Sequence, residues 1–224
     1  MNKRILFIAP HPDDETLGCG GAIQRHLEDG DTIYWLIITK AYEEDGFSKE
    51  KIDRRENEII AVQQEYKFDG VYRLNLRTVC LDTYPTKDVV AAIGSVIQES
   101  RSNVLYIPCG TDVHSDHHVV FNASWSCCKS FRYPEVKEVY VYETLSETEF
   151  SAPFSSNSFM PNTFMDITPY LEKKNRIMEL YASEVNSHPF PRSVKNMTAL
   201  ATLRGAQMGV SYAEAFVCLK RIIP

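Results

Sequence analysis

An α/β fold is predicted, in three layers with a mostly parallel sheet flanked by helices, and three observations predict it. Short runs of almost wholly apolar residues recur along the chain, as strands buried on both faces of a parallel sheet require. Segments with apolar residues at helical spacing separate these runs. The chain of 224 residues has no low-complexity linker and no internal repeat, which suits a single domain over 1–224 with a full core.

The first strand covers residues 5–9. Pro10 and Pro12 fix φ and remove two backbone donors, so the strand stops there and delivers His11, Asp13, Asp14 and Glu15 beyond its carboxyl end. In open α/β sheets ligands gather at such ends. Leu17, Ala22, Ile23 and Leu27 mark a helix over 16–28, Gly30 stops it, and a strand over 32–39 completes a β-α-β unit. Gly18, Gly20 and Gly21 invite a dinucleotide-binding reading. Against it, Ile23 stands at the last glycine position of G-x-G-x-x-G and acids crowd the turn, so close packing of the helix is the expected role of these glycines.

Residues 40–49 form a polar loop on the same face as His11. A helix over 51–66 carries Ile59, Val62 and Tyr66 as its stripe, with Arg55 and Glu58 three apart and able to pair at the surface. A third strand spans 71–76. Thr86 is placed to cap a helix reaching about residue 100, and a fourth strand over 103–108 ends, like the first, at a proline. Beyond it the stretch 109–118 contains His114, Asp116, His117 and His118 and leads into a helix past Trp125. A fifth strand covers 137–144, and Phe150, Phe154 and Phe159 in the loop 145–160 are candidates for the rim of a pocket or the edge of the core. A strand over 162–167, a helix over 168–183 and another in the tail from 196 follow. The apolar run 213–223 reads as an edge strand or a helix end.

A net charge of -6 argues against a nucleic-acid partner, and a 44% hydrophobic share with 24% charged residues is ordinary for a soluble globular chain with no membrane insertion. The six cysteines include no Cys-x-x-Cys pair and read as reduced thiols of a cytoplasmic protein.

If the first and fourth strands are adjacent, His11 and Asp14 meet His117. Two imidazoles and one carboxylate form a ligand set that leaves zinc an open position, where bound water has a pKa near about 7. Asp13, beside a ligand but free of the metal, is then a general base. His114 and Asp116 form a second pair in which the acid orients the imidazole and favours its charged form, which can stabilise an oxyanion or protonate a leaving amine. Taken singly, each of these residues has a plainer role: a turn histidine, or an acid at a helix start, which is the role expected of Glu15. His26 and His188 show no acidic partner nearby in sequence.

The chain resembles the LmbE-like, or PIG-L type, zinc-dependent N-deacetylases. The resemblance rests on the run from Ala9 to Gly21, on Asp112-x-His-x-Asp-His117, on Arg55-x-x-Glu58-x-x-Ala61, and in the tail on Arg204-Gly205, Gly209 and the run from Tyr212 to Phe216. It implies a Rossmann-like fold and hydrolysis of an N-acyl, usually N-acetyl, group from an amino sugar or its conjugate. It further implies His11, Asp14 and His117 as metal ligands, Asp13 as general base, His114 as oxyanion stabiliser oriented by Asp116, and Arg55 near the substrate, held by Glu58. A homo-oligomer is implied as well. Where some members carry His-x-Ser-Gln, this chain has Tyr181, Ala182, Ser183 and Glu184. Two other readings share these residues: an iron(II) oxygenase using the same three ligands, and a Rossmann-type sugar- or nucleotide-binding module without turnover.

Overall fold

The computed structural model describes residues 2–154, 156 and 158–223. Its strands are β1 (Arg4–Ala9), β2 (Thr32–Lys40), β3 (Gly70–Arg77), β4 (Val104–Pro108), β5 (Glu138–Tyr142), β6 (Thr163–Asp166) and β7 (Ala213–Arg221), and they form one sheet in the order β3-β2-β1-β4-β5-β7-β6. The first five run parallel, while β7 is antiparallel to both β5 and β6. Helices are α1 (Asp14–Glu28), α2 (Lys49–Tyr66), α3 (Thr86–Ser100), α4 (Ser115–Ser126), α5 (Leu171–Met178) and α6 (Val194–Met208).

Alternation along β1 shows how the layers form. Ile5, Phe7 and Ala9 enter one apolar core with α1, α2 and α5, whereas Leu6 and Ile8 enter another with α3 and α4. Both faces of the central strands are thus covered, which is why their sequences are continuously apolar. The three-layer α/β architecture is as the sequence predicts. A Cβ added to Gly18 would collide with Tyr142, and one added to Gly21 would collide with Ile167, so these glycines serve close packing.

Several expectations need correction. The run after residue 213 is a strand, but β7 lies inside the sheet and β6 takes the edge. Thr86 does not cap: Pro85 holds the cap position of α3, with no side-chain bond. The helix expected over 168–183 is only α5, because beyond Met178 the chain turns to bury Tyr181 and carry Ser183 to Glu58. His26 does have an acidic partner, Asp31, at 2.8 Å from Nδ1, and its Nε2 meets the Tyr106 hydroxyl at 3.0 Å. Phe150 and Phe154 are exposed, and Phe159 packs against the core formed with α3 and α4. All six cysteines are free. Among the described residues no helix is long and apolar enough to cross a membrane.

Candidate metal and catalytic site

Strands β1 and β4 pair in register from Ile5 with Val104 to Phe7 with Tyr106. The strand order reverses across this pair, so it is the switch point beyond which ligands bind in doubly wound sheets. The loops that leave the two strands carry His11 to Glu15 and Cys109 to His118 into one place.

The first turn is tight. Asp13 has φ 127°, a conformation costly for an L-residue, at the start of α1. Neighbours hold it there: its N–H donates to Glu15 (3.1 Å), and the Arg55 guanidinium donates to the Pro12 carbonyl (3.2 Å). Glu15 in turn accepts from the hydroxyls of Thr16 (2.6 Å) and Tyr181 (2.8 Å), and burial pushes its carboxyl up to about 7. The expectation that Glu15 serves the helix start holds in this form.

Asp14 Oδ2 lies 3.4 Å from His11 Nδ1 and 3.3 Å from His117 Nε2. One donor atom each from His11, Asp14 and His117 lie within 4.8 Å of one another. The outer nitrogens are already engaged: His11 Nε2 meets Asp116 at 3.0 Å, and His117 Nδ1 meets Asp112 at 2.7 Å. His117 Nε2 is buried without a hydrogen-bond partner. An imidazole whose far nitrogen is held by a carboxylate while the near one faces a second carboxylate is arranged as metal-binding histidines are.

Electrostatics agree. Burial opposes charge on both histidines, yet hydrogen bonds to Asp116 and Asp14 push His11 up to about 9, and the Asp14 carboxylate pushes His117 well up. Asp14 itself, despite burial, is held far below the usual carboxylate range by His117 and His11. The cluster therefore demands positive charge between its acids, which a divalent cation supplies while leaving both imidazoles neutral. Mixed imidazole and carboxylate donors suit zinc, and iron(II) as well.

Beside the cluster, burial and then the Asp14 charge push the Asp13 carboxyl well above its ordinary value. His114 departs from expectation. The Asp116 carboxylate does not meet it: those oxygens accept from His11 and from the backbone N–H groups of Val79 (2.7 Å) and Leu81 (3.2 Å). The backbone N–H of Asp116 instead donates to His114 Nδ1 (3.1 Å), so the neutral ring carries its hydrogen on Nε2. Burial and the neighbouring His11 push His114 down to about 4, so it is a neutral donor rather than the charged imidazole anticipated.

His11, Asp13, Asp14 and His114 line a cavity of about 620 Å³ that also receives Arg55, Ser146, Glu147, Glu184 and Arg192. Arg55 is paired with the Glu184 carboxylate, and Glu58 stands 3.7 Å off, bonded instead to Ser183. Arg192 completes the group, donating to Glu184 (2.8 Å) and Ser146 (2.8 Å). Sequence reasoning missed Asp112, Glu147, Glu184 and Arg192. For Asp112 a signal existed, since it opens the motif that ends at His117; for Arg192 there was none.

A model of the GlcNAc-PI de-N-acetylase family, PIG-L, matches residues 6–128. The diacetylchitobiose deacetylase of Thermococcus kodakarensis is 23% identical over 219 residues, which is 95% of this chain and 81% of that protein. Among solved structures, the conserved protein TT1542 of Thermus thermophilus has TM-score 0.79 and 22% identity, over 99% of this chain and 97% of that one. The 4-carboxy-2-hydroxymuconate hydratase GalB of Pseudomonas putida has TM-score 0.74 and 20% identity, over 99% of this chain and 98% of its own. A hydratase on this architecture shows that the fold alone does not fix the reaction. The family match is more local: it runs from β1 to the end of α4, takes in both loops that converge on Asp14, and covers more than half of the chain, which places this protein in the PIG-L family.

Proposed function

We propose that the protein is a metal-dependent hydrolase that removes an N-acyl group, in the first instance N-acetyl, from a small amino sugar or amino-sugar conjugate. The observation that carries the reading is the junction of a three-donor cluster, His11, Asp14 and His117, with a buried, unligated Asp13 whose proton affinity is raised. The curated relative's name, diacetylchitobiose deacetylase, supports the substrate class.

A zinc or similar ion held by those three residues supplies Lewis acidity toward the acyl oxygen and makes water a better acid. Asp13 takes a proton from water as its oxygen adds to the acyl carbon. It returns that proton to nitrogen as the C–N bond breaks, giving a carboxylic acid and an amine, and the acid's remaining proton passes to the amine to leave a carboxylate and an ammonium group. His114 offers its Nε2–H to the oxygen that gains charge, a role the neutral ring can fill because its Nδ1 is the atom that accepts from the Asp116 N–H. Arg55 holds the Pro12 carbonyl, and with it the turn that aims Asp13.

The test is a panel of N-acetylated amino sugars and conjugates assayed for released amine with and without chelator, on protein whose metal content is measured. Chelator-sensitive release from any member supports the reading. Metal-free protein that releases amine at the same rate, or no release from any member, rejects it.

A further inference from the structure

We infer that the outer half of the cavity is a subsite for a phosphate group carried by the amino sugar, an inference that rests on the function proposed above. The cavity is divided by charge. Its inner end holds Asp13, Asp14 and Glu147 around the imidazoles, with Arg55 bonded to the Pro12 carbonyl and Arg192 joined to it through Glu184, while four further cations, Lys40, Lys51, Arg54 and Arg73, line the remainder.

Among the described residues three carboxylates form ion pairs with those six: Glu58, 3.7 Å from Arg55, Glu184 and Glu56. Glu184 lies between Arg55 and Arg192. Glu56 accepts from Arg73 at 2.5 Å and stands 3.9 Å from Lys40. Lys51 and Arg54 face no carboxylate in any ion pair among the described residues. This excess of positive charge sits on a chain whose net charge is -6, so it is a local feature and not a reflection of composition.

The elements explain the convergence. Lys40 ends β2, Arg73 lies on the neighbouring β3, and Lys51 and Arg54 come from the first turns of α2. Arg73 and Lys40 both approach the single carboxylate of Glu56, so their charged ends point to one spot. Forked guanidinium groups beside compact ammonium groups suit a phosphate, which presents several oxygens and up to two charges. A cavity of about 620 Å³ also exceeds what one acetylated hexose fills, leaving space for a substituent.

Binding is measured by calorimetry on the protein as purified, for N-acetylglucosamine, its anomeric phosphate, its uridine diphosphate conjugate, and a phosphodiester-linked lipid form in phosphatidylcholine vesicles. At least one phosphorylated form is expected to bind about tenfold or more tighter than the neutral sugar. Added salt should shrink that advantage. The exposed double variant Lys51→Ala/Arg54→Ala should reduce it several-fold, and which form gains most distinguishes a free, nucleotide-linked or lipid-linked phosphate. Equal binding of neutral and phosphorylated sugars, or an advantage the variant leaves untouched, overturns the subsite. An equal gain for a carboxylate-bearing N-acetyl sugar overturns its assignment to phosphate. Amine released from neutral sugars without phosphate preference would sink the subsite alone, whereas phosphate-dependent binding with no amine released from any sugar would sink the hydrolase reading.

Discussion

Asp13 joins the carboxyl proposed as general base to a backbone conformation that L-residues avoid, and both depend on the same supports. In Asp13→Asn the turn keeps its Glu15 and Arg55 contacts but loses its base. Turnover is expected to fall by about 100-fold or more with bound metal unchanged, measured as released amine and metal content on the same sample. Asp112→Ala removes the group that holds the outer nitrogen of His117, and metal affinity should drop by about 10–100-fold in a competitive chelator titration. His26 is a third case. Burial, against the pull of Asp31, lowers its affinity for protons, so the unfolded chain binds a proton there more readily than the folded one. Its contribution to stability is present above about pH 6.5 and is lost as pH falls from there through the lower value of the folded chain. Denaturant midpoints between pH 5 and 7 should show a shallower slope for His26→Gln than for the parent. At this scale the sequence was informative where a motif fixes the local backbone: His11, Asp14 and His117 follow strands stopped by prolines. It was silent on which acid meets which imidazole, because the contacts of Asp116 with His11, Val79 and Leu81 are with residues distant in sequence.

Helix α1 shows how an element is placed. Glu214 of β7 accepts from the N–H groups of Gly21 and Ala22, each at 2.8 Å, and from Lys174 of α5 at 2.7 Å, while Lys174 also donates to the Leu17 carbonyl at 2.8 Å. This buried pair ties three elements together at the back of the catalytic turn. Replacing Lys174 by Met leaves the Glu214 charge without its partner, a loss of about 3–5 kcal/mol. Gly21→Ala drives a methyl group into Ile167 and should cost about 1–3 kcal/mol. Both are read from urea unfolding curves. Element type was legible from periodicity, since apolar runs and helical stripes are local properties. Element ends were less so. The stop of α5 at Met178 is set by the bonds of Tyr181 and Ser183 to Glu15 and Glu58, partners more than a hundred residues away, which no local pattern announces.

For the molecule as a whole, the cluster clips the β1 loop to the β4 loop. One equivalent of zinc should therefore raise the unfolding temperature, by about 2.7 kcal/mol of added stability when free ion is a hundred times its dissociation constant. His11→Ala should abolish the rise in a thermal scan. The adjacency of β1 and β4 stood in the sequence only as the condition for His11, Asp14 and His117 to meet, a condition the sheet fulfils, and the parallel five-strand body follows from the β-α-β rhythm. The position of β7 was not foreseeable, since an amphipathic strand reads alike at an edge or inside.

That position bears on how the protein is made. On the ribosome, β5 and β6 emerge well before the strand that belongs between them, and each presents an unpaired flank to other nascent chains in the interval. Synthesis must pass residue 221 before the sheet can close, so slow elongation or a stop codon shortly before that point leaves a long nascent chain with a sticky gap.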